Sequence, residues 1–221
     1  MAVTFYYVRH GQTVFNLSRR LQGWCDSPLT EKGIEDAGRA EKALRAIPFD
    51  RAYCSSSERC VDTAAIILQR HNVTAKPTKL LKEVDFGRLD GMLFDEVHEE
   101  FELRKKADDF GPVGGDTPET LRRRIFDVLY GISDLASDGE RILLVSHGAY
   151  GMRVLKYMFH IDLDAFRRMQ AEKLGKQYMF PNGGIMKFER RGDVWRLLEL
   201  PCEPEAFRDS EEPAEYPVVR G

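Results

Sequence analysis

The sequence predicts an α/β protein, a three-layer α/β/α sandwich around a mostly parallel central sheet with an antiparallel edge strand. Residues 4–8 and 141–147 are apolar runs without the alternation of a half-exposed strand, so we expect both faces of each to be covered. Helical patterns follow both runs, as they do in βα units. Residues 183–190 and 194–200 have strand composition and flank an Arg-Gly-Asp turn, which predicts an antiparallel pair.

The elements between these strands carry their own helix signals. Residues 30–46 begin with a threonine suited to cap a helix and keep their apolar positions on one face. Residues 117–136 begin with threonine and proline, which favour the first positions of a helix, and also have one apolar face. We expect further helices over 58–71 and 149–159, and a short strand over 51–56. Strands and helices therefore alternate along the chain.

The length of the chain favours one domain. The 221 residues, of which 43% are hydrophobic, can bury a substantial core, and we assign residues 1–200 to a single domain. Residues 201–221 are rich in proline and acidic side chains, a composition typical of a tail.

Composition also limits the function. A net charge of −3 argues against a general nucleic-acid binder, which needs a positive field to displace counterions. No apolar run approaches the roughly 20 residues of a membrane helix, and Met1–Arg9 lacks a signal-peptide pattern, so we expect a cytoplasmic protein that does not bind membranes. The four cysteines form no C-x-x-C pair, and we expect reduced thiols. A homodimer is compatible with the sequence.

Polar residues that follow two of the strands suggest a binding site. The motifs "VRHG" (8–11) and "VSHG" (145–148) each place a histidine and a glycine at a strand end. Because ligands of open α/β sheets gather at the carboxyl ends of strands, His10 and His147 are expected to share a pocket. Arg9 and Arg59 would add cations that bind phosphate through several hydrogen bonds. The sequence thus predicts a local phosphate site.

Two simpler interpretations compete with this one. A histidine after a strand is usually a hydrogen-bonded boundary residue, and a single arginine-histidine-glycine tripeptide is a weak motif. Two histidines could also bind a metal ion, but neither belongs to an H-x-x-x-H or H-E-x-x-H pattern, and the arginines would repel a cation. The combined set of four residues favours phosphate, and we expect no metal.

Several motifs in order resemble the histidine phosphatase superfamily, also called the phosphoglycerate mutase-like family. The likeness covers most of residues 4–190 and rests on "RHGQTVFN" (9–16), "LQGWCDSPLTEKGIEDA" (21–37), "CSSSERCVDTA" (54–64), "LKEVDFGRLDG" (81–91) and "LLVSHG" (143–148). The departures are Ser57, where an aliphatic residue is commoner, and Asp90, where glutamate is commoner. Neither removes a side chain that the resemblance makes catalytic.

The resemblance implies a role for each site residue. His10 would be the nucleophile that forms a phosphohistidine, and Glu83 would act as general acid and then general base. The predicted catalytic residues are His10, Glu83, His147, Arg9 and Arg59. The predicted substrate-binding residues are Arg9, Asn16, Gln22, Gly23, Arg59, His147 and Gly148. This mechanism needs no cofactor, and the like charge of Arg9 is expected to keep His10 neutral.

The predicted function is hydrolysis of the phosphomonoester of a small metabolite. The alternative is a phosphoglycerate mutase, which resembles R-H-G-E-S at the first motif and carries a long basic segment between the acid and the second histidine. Here the motif is "RHGQT", and the interval from Glu83 to His147 is short. A silent binding protein would be expected to lack one of the site residues. An insertion at about 84–116 is expected at the substrate pocket, although core packing is the favoured role of its aromatic residues Phe86, Phe94, Phe101 and Phe110.

Overall fold

The computed structural model describes residues 1–174 and 180–218, and its centre is a six-stranded sheet. The strands are β1 (Ala2–Arg9), β2 (Arg51–Ser55), β3 (Ala75–Thr78), β4 (Arg141–Ser146), β5 (Ile185–Arg191) and β6 (Val194–Cys202). Their order across the sheet is β3-β2-β4-β1-β5-β6. β1, β4, β2 and β3 are parallel to one another, whereas β5 pairs antiparallel with both β1 and β6.

This topology confirms the predicted mostly parallel sheet with an antiparallel edge. The antiparallel part has two strands, because β5 and β6 form the predicted hairpin. Gly192 sits in its turn with a φ of +61°, a conformation that glycine adopts without steric cost.

Seven helices surround the sheet in the described residues. They are α1 (Val14–Leu17), α2 (Glu31–Leu44), α3 (Glu58–Leu68), α4 (Phe94–Ala107), α5 (Pro118–Asp134), α6 (Gly148–Phe159) and α7 (Leu163–Leu174). The Thr30 hydroxyl accepts a hydrogen bond from the Gly33 N–H, and the Thr117 hydroxyl accepts one from the Thr120 N–H, so both predicted caps are present. Helices α1, α4 and α7 and strand β3 are not predicted by the sequence patterns. None of the described helices is both long and apolar enough to cross a membrane.

A separate apolar core covers each face of the sheet. Along β1, Phe5 and Tyr7 belong to one core, while Tyr6 and Val8 belong to the other. All four side chains are buried, because β1 lies inside the sheet with helices on both sides. The predicted three layers are therefore confirmed.

The segment after β6, residues 203–218, lies against the body of the protein. Phe207 is buried beside Tyr6, and the Asp209 carboxylate accepts hydrogen bonds from the Tyr6 hydroxyl at 2.8 Å and the Lys187 ammonium at 2.6 Å. Residues 201 and 202, which composition places in a tail, are the last residues of β6. Residues 219–221 of that tail lie outside the described residues.

Candidate active site

The carboxyl ends of three adjacent strands converge on the two histidines. His10 follows β1, His147 follows β4, and Ser55 is the last residue of β2. Arg59 lies in the first turn of α3, directly after β2, and its side chain is fully buried. The short βα connections therefore bring His10, His147 and Arg59 together, as the strand-end motifs predict.

The hydrogen bonds of its two ring nitrogens hold His10 in one tautomer. Nδ1 lies 2.7 Å from the Gly11 carbonyl oxygen, which can only accept, so Nδ1 carries the proton of the neutral ring. Nε2 lies 3.3 Å from Nε of Arg59, which donates to it. Burial holds the pKa of His10 well below its usual range, and the positive charges of Arg59 and then Arg9 lower it further. The ring is neutral, with its lone pair on Nε2.

The reason for this neutrality differs from the sequence-based expectation. The sequence predicts that the adjacent Arg9 disfavours the imidazolium form. In the structure burial is the largest cause, and Arg59 contributes more than Arg9. Arg59 contacts the ring directly, which adjacency in sequence could not reveal.

His147 lies beside His10 and is oriented by two hydrogen bonds. The ring centroids are 5.2 Å apart in an edge-on arrangement. Nδ1 of His147 accepts from Nη2 of Arg59 at 3.0 Å, so Nε2 carries the proton of the neutral ring and donates to the Ser55 hydroxyl at 2.7 Å. Burial, followed by the charge of Arg59, lowers the pKa of His147 well below its usual range.

Arg59 is oriented by the loop that follows α1. Its Nη1 donates to the Asp26 carboxylate at 2.7 Å and to the Cys25 carbonyl at 3.0 Å. Its Nη2 donates to the Gly23 carbonyl at 3.0 Å. Gly23, predicted to bind substrate, therefore contacts Arg59 through its backbone. Asp26 is a site residue that the sequence does not predict, because no motif spacing distinguishes this carboxylate from the other acidic residues of its segment.

Asp90, the departure noted in the sequence, holds the same loop from the other side. Its carboxylate oxygens accept hydrogen bonds from the backbone N–H groups of Gly23 at 2.9 Å and Trp24 at 2.7 Å. Burial raises the pKa of Asp90 to about 6. Asp90 thus acts on Arg59 indirectly, through the loop whose carbonyl groups bind the guanidinium.

Arg9 has a donor without a protein partner. Its Nε is buried and makes no hydrogen bond to the described residues, while Nη1 donates to the Phe180 carbonyl. Such a buried donor is costly unless a ligand or water accepts from it. Gly148 permits this position, because a Cβ there would lie 2.9 Å from the Arg9 Nε.

Glu83 lies at the amino end of α6. Its Oε1 accepts from the backbone N–H groups of Val84 at 2.9 Å and Tyr150 at 2.6 Å. Its Oε2 accepts from the Ala149 N–H at 3.0 Å. These three bonds fix the position and orientation of the carboxyl group. Oε2 accepts only one of these three hydrogen bonds, so it has more capacity than Oε1 to bind a proton or accept a further hydrogen bond.

Asn16 and Gln22, the remaining predicted site residues, hydrogen-bond to residues other than His10. Asn16 lines a cavity of about 750 Å³ that Arg9 also lines, and its Oδ1 accepts from the Thr13 N–H at 3.2 Å. Gln22 is buried and bonded to the Thr13 and Ser27 hydroxyls at 2.6 and 3.0 Å. Gln22 therefore braces the loop through contacts within the protein.

A cavity of about 380 Å³ opens beside Glu83, and Arg9 and Gly148 also line it. Phe86, Phe101 and Phe110 form an aromatic cluster on its wall, with ring centroids 4.9 to 5.8 Å apart. Phe86 and Phe110 are also buried in the core, so they pack and line the cavity at once. Among residues 1–174 and 180–218, no cluster of three or more metal-ligating side chains occurs. All four cysteines are free.

A three-layer sandwich with two imidazoles and two arginines at its strand ends defines a class of phosphate-handling α/β enzymes. The sequence pattern of the histidine phosphatase superfamily, branch 1, matches residues 5–202. The chain belongs to this superfamily, as the motifs predicted.

Relatives carry the names of both mutases and phosphatases. A 2,3-bisphosphoglycerate-dependent phosphoglycerate mutase from Afipia carboxidovorans is 33% identical over 152 residues, which cover 64% of this chain and 73% of that protein. The crystal structure of a phosphoglycerate mutase from Bacillus anthracis is similar, with a TM-score of 0.74, 25% identity and coverage of 90% and 92%. A phosphoserine phosphatase from Entamoeba histolytica, solved with 3-phosphoglyceric acid, shares the fold, with a TM-score of 0.72, 23% identity and coverage of 90% and 97%. The chain is therefore an enzyme of a superfamily that contains both activities.

Proposed function

We propose that the protein is a phosphatase that hydrolyses the phosphomonoester of a small metabolite through a phosphohistidine at His10. The observation that carries this proposal is the aromatic wall of Phe86, Phe101 and Phe110 on the cavity that Glu83 also lines. Such a wall suits a leaving group with an apolar body. A small glycerate has no apolar body to pack on this wall, so the wall does not hold that product while it reorients to take the phosphoryl group back.

In the first step, the Nε2 lone pair of His10 attacks phosphorus while the bond to the ester oxygen breaks. The neutral Nδ1–H tautomer already presents this lone pair. The guanidinium of Arg59 and the unpartnered Nε–H of Arg9 are available to the phosphoryl oxygens, where fixed donors stabilise the spread negative charge.

Glu83 moves the protons in both steps. With a proton on Oε2, it protonates the departing alkoxide and becomes a carboxylate. The carboxylate then takes a proton from the water that attacks phosphorus, the phosphorus–nitrogen bond breaks, and its electron pair returns to His10. Inorganic phosphate and the neutral imidazole result.

The second candidate is a phosphoglycerate mutase, favoured by the names of the curated relatives. The same alignment covers a larger share of the Afipia protein than of this chain, so that relative is the shorter of the two. Shortness of chain therefore does not separate a phosphatase from a mutase, and the short interval from Glu83 to His147 is a weaker argument than the sequence alone suggested. The first motif, which is RHGQT where mutases resemble R-H-G-E-S, and the aromatic cavity wall still favour the phosphatase.

An assay of 3-phosphoglycerate with and without 2,3-bisphosphoglycerate tests the choice. We expect release of inorganic phosphate to exceed formation of 2-phosphoglycerate in both conditions, and we expect a chelator to leave the rate unchanged. A panel of phosphomonoesters run in parallel identifies preferred leaving groups. Rapid 2-phosphoglycerate formation with little free phosphate would reject the hydrolase.

A further inference from the structure

The cavity beside Glu83 has a positively charged end. Apart from Arg9 and Glu83, the charged side chains that line it in the described part of the chain are Lys105, Arg153 and Arg167. The same three residues also line a neighbouring cavity of about 680 Å³. The catalytic chemistry proposed above uses none of them.

Helix α6 sets the distance between the two ends of the cavity. Gly148, Ala149, Met152 and Arg153 all line it, at the spacing of one helical face. At 1.5 Å per residue, Arg153 lies about 7.5 Å along the helix from Gly148, which contacts Arg9 at the phosphate end. Lys105 comes from α4 and Arg167 from α7, so three helices contribute to the positive end.

Each of these cations pairs with a carboxylate that lies outside the cavity lining. Lys105 donates to Glu102 at 2.8 Å, and Arg167 donates to Asp164 at 3.3 Å. Asp108 accepts from Arg153 at 2.9 Å and from Lys156 at 2.6 Å, so one carboxylate serves two cations. It also accepts from the Tyr157 hydroxyl at 2.8 Å. Asp108 fixes the Arg153 guanidinium, which is 9% exposed. The cations line the cavity of about 380 Å³ and these three carboxylates do not, so a ligand in the cavity meets the cations at its far end.

We infer that the pocket selects leaving groups that have a flat, apolar body and carry a second negative charge at their far end. The body would pack on Phe86, Phe101 and Phe110, and the distal anion would bind Lys105 and Arg153. This inference rests on the proposed phosphatase activity and narrows it to anionic phosphomonoesters of aryl or similarly flat alcohols. A guanidinium with little exposure is a strong partner for such an anion, because water competes poorly there.

A matched pair of substrates tests the inference. In 4-carboxyphenyl phosphate the ring places a carboxylate opposite the ester oxygen, and 4-carbamoylphenyl phosphate has the same shape and a neutral group. The carboxamide is the more electron-withdrawing, so its phenolate is the better leaving group and leaving-group reactivity cannot produce a preference for the carboxylate. We expect kcat/KM to be about tenfold or more higher for the carboxylate, as one charged hydrogen bond of about 1.5 kcal/mol or more implies. A ratio near one in the wild type would overturn the inference.

Variants show which side chains cause the preference. Lys105→Met and Arg153→Met should each reduce the ratio severalfold, while Arg153→Lys, which keeps the charge, should retain most of it. Arg104→Met is the control, because Arg104 precedes Lys105 on α4 but lines neither cavity as the described residues define them. An unchanged ratio in both methionine variants at Lys105 and Arg153 would reject the assignment.

Binding measurements separate this inference from the proposed function. The two esters can be titrated calorimetrically into the His10→Ala variant, in which the proposed chemistry is blocked. If the carboxylate ester binds more tightly but the wild type turns over neither ester, the distal anion site is supported and the proposed phosphatase activity is rejected. Turnover of both esters with equal binding would keep the phosphatase and reject the site.

Discussion

The Nε atom of Arg59 lies 3.3 Å from Nε2 of His10, the nitrogen that carries the lone pair of the neutral ring. Nη2 of the same guanidinium lies 3.0 Å from Nδ1 of His147. One fully buried cation thus donates to both imidazoles, and its charge is the largest cause of their lowered pKa values after burial. A bound phosphoryl group offers the Arg59 Nε–H a charged acceptor, and the His10 lone pair then becomes free to attack.

Replacement of His10 by alanine should abolish turnover, because the proposed covalent bond forms at its Nε2. The far-UV circular dichroism of the variant should match that of the wild type, since His10 follows a strand and belongs to neither apolar core. Brief reaction of the wild type with labelled substrate, followed by an alkaline quench, should leave label on His10. Label on serine or cysteine, or normal activity of the variant, would exclude this nucleophile.

Replacement of Glu83 by glutamine should slow esters of poor leaving groups far more than p-nitrophenyl phosphate, whose phenolate hardly needs a proton. We expect a difference of at least about tenfold, within the range that general acid catalysis contributes. Steady-state kinetics on both ester types measure it. Equal losses, with no accumulated phosphohistidine, would point to a structural role for Glu83 through its three backbone hydrogen bonds.

Stability should fall as the pH drops below about 6.5, the ordinary pKa of histidine. The folded-state pKa values of His10 and His147 are depressed, so below that pH the unfolded chain binds protons that the folded protein does not. Each histidine then lowers the free energy of unfolding by up to about 1.4 kcal/mol for each pH unit, until the pH reaches its folded-state pKa. Asp90 has the opposite effect, because its pKa is raised to about 6 in the folded protein. Between about pH 6 and its ordinary pKa near 3.9, the folded protein binds the extra proton, and stability rises as the pH falls.

Urea denaturation between pH 8 and 5.5 measures this dependence. The variant His10→Gln lacks one of the two titrating groups and should show a shallower decline in the free energy of unfolding. Constant stability over this range in the wild type would contradict the depressed pKa values.

Replacement of Ser57 by alanine should stabilise the protein by about 1 kcal/mol, because the Ser57 hydroxyl is buried and has no partner among the described residues. Although Ser57 precedes α3, its side chain makes no capping hydrogen bond, so the substitution loses none. Thermal unfolding measures the change. Ser56→Ala, at the exposed neighbouring position, is the control and should change stability little. A Ser57→Ala variant less stable than the wild type would show that water or a ligand satisfies the hydroxyl.

The sequence predicted the parts of the fold and site that local patterns encode. Apolar runs and helix caps located β1, β4, α2 and α5, and the two histidine-glycine motifs marked strand ends that do meet. It missed Asp26 and Ser55, whose roles depend on contacts between distant segments. Helix α4 was missed because Val97 is its only buried residue, and β3 was missed because it is a four-residue edge strand that contains Pro77.

The C-terminal segment shows a second limit of composition. Its acidic and proline-rich residues are typical of a tail, yet Phe207 and Asp209 pack against Tyr6 of β1. A single apolar residue and one carboxylate carry these contacts, and neither alters the average composition enough to be noticed. The cation-rich end of the cavity was missed for a similar reason, since Lys105, Arg153 and Arg167 come from three helices.

The central place of β1 has a consequence for synthesis. Its two neighbours are β4 and β5, so Thr4 first finds a partner when Arg141 has been made and a second when Glu189 has. At about 5–20 residues per second, an apolar and aromatic strand stays unpaired for roughly 7 to 30 s on the ribosome. Such a strand can pair with the edge of a sheet in another molecule. A chaperone that binds β1 would prevent this aggregation until β4 has been made and the active site can form.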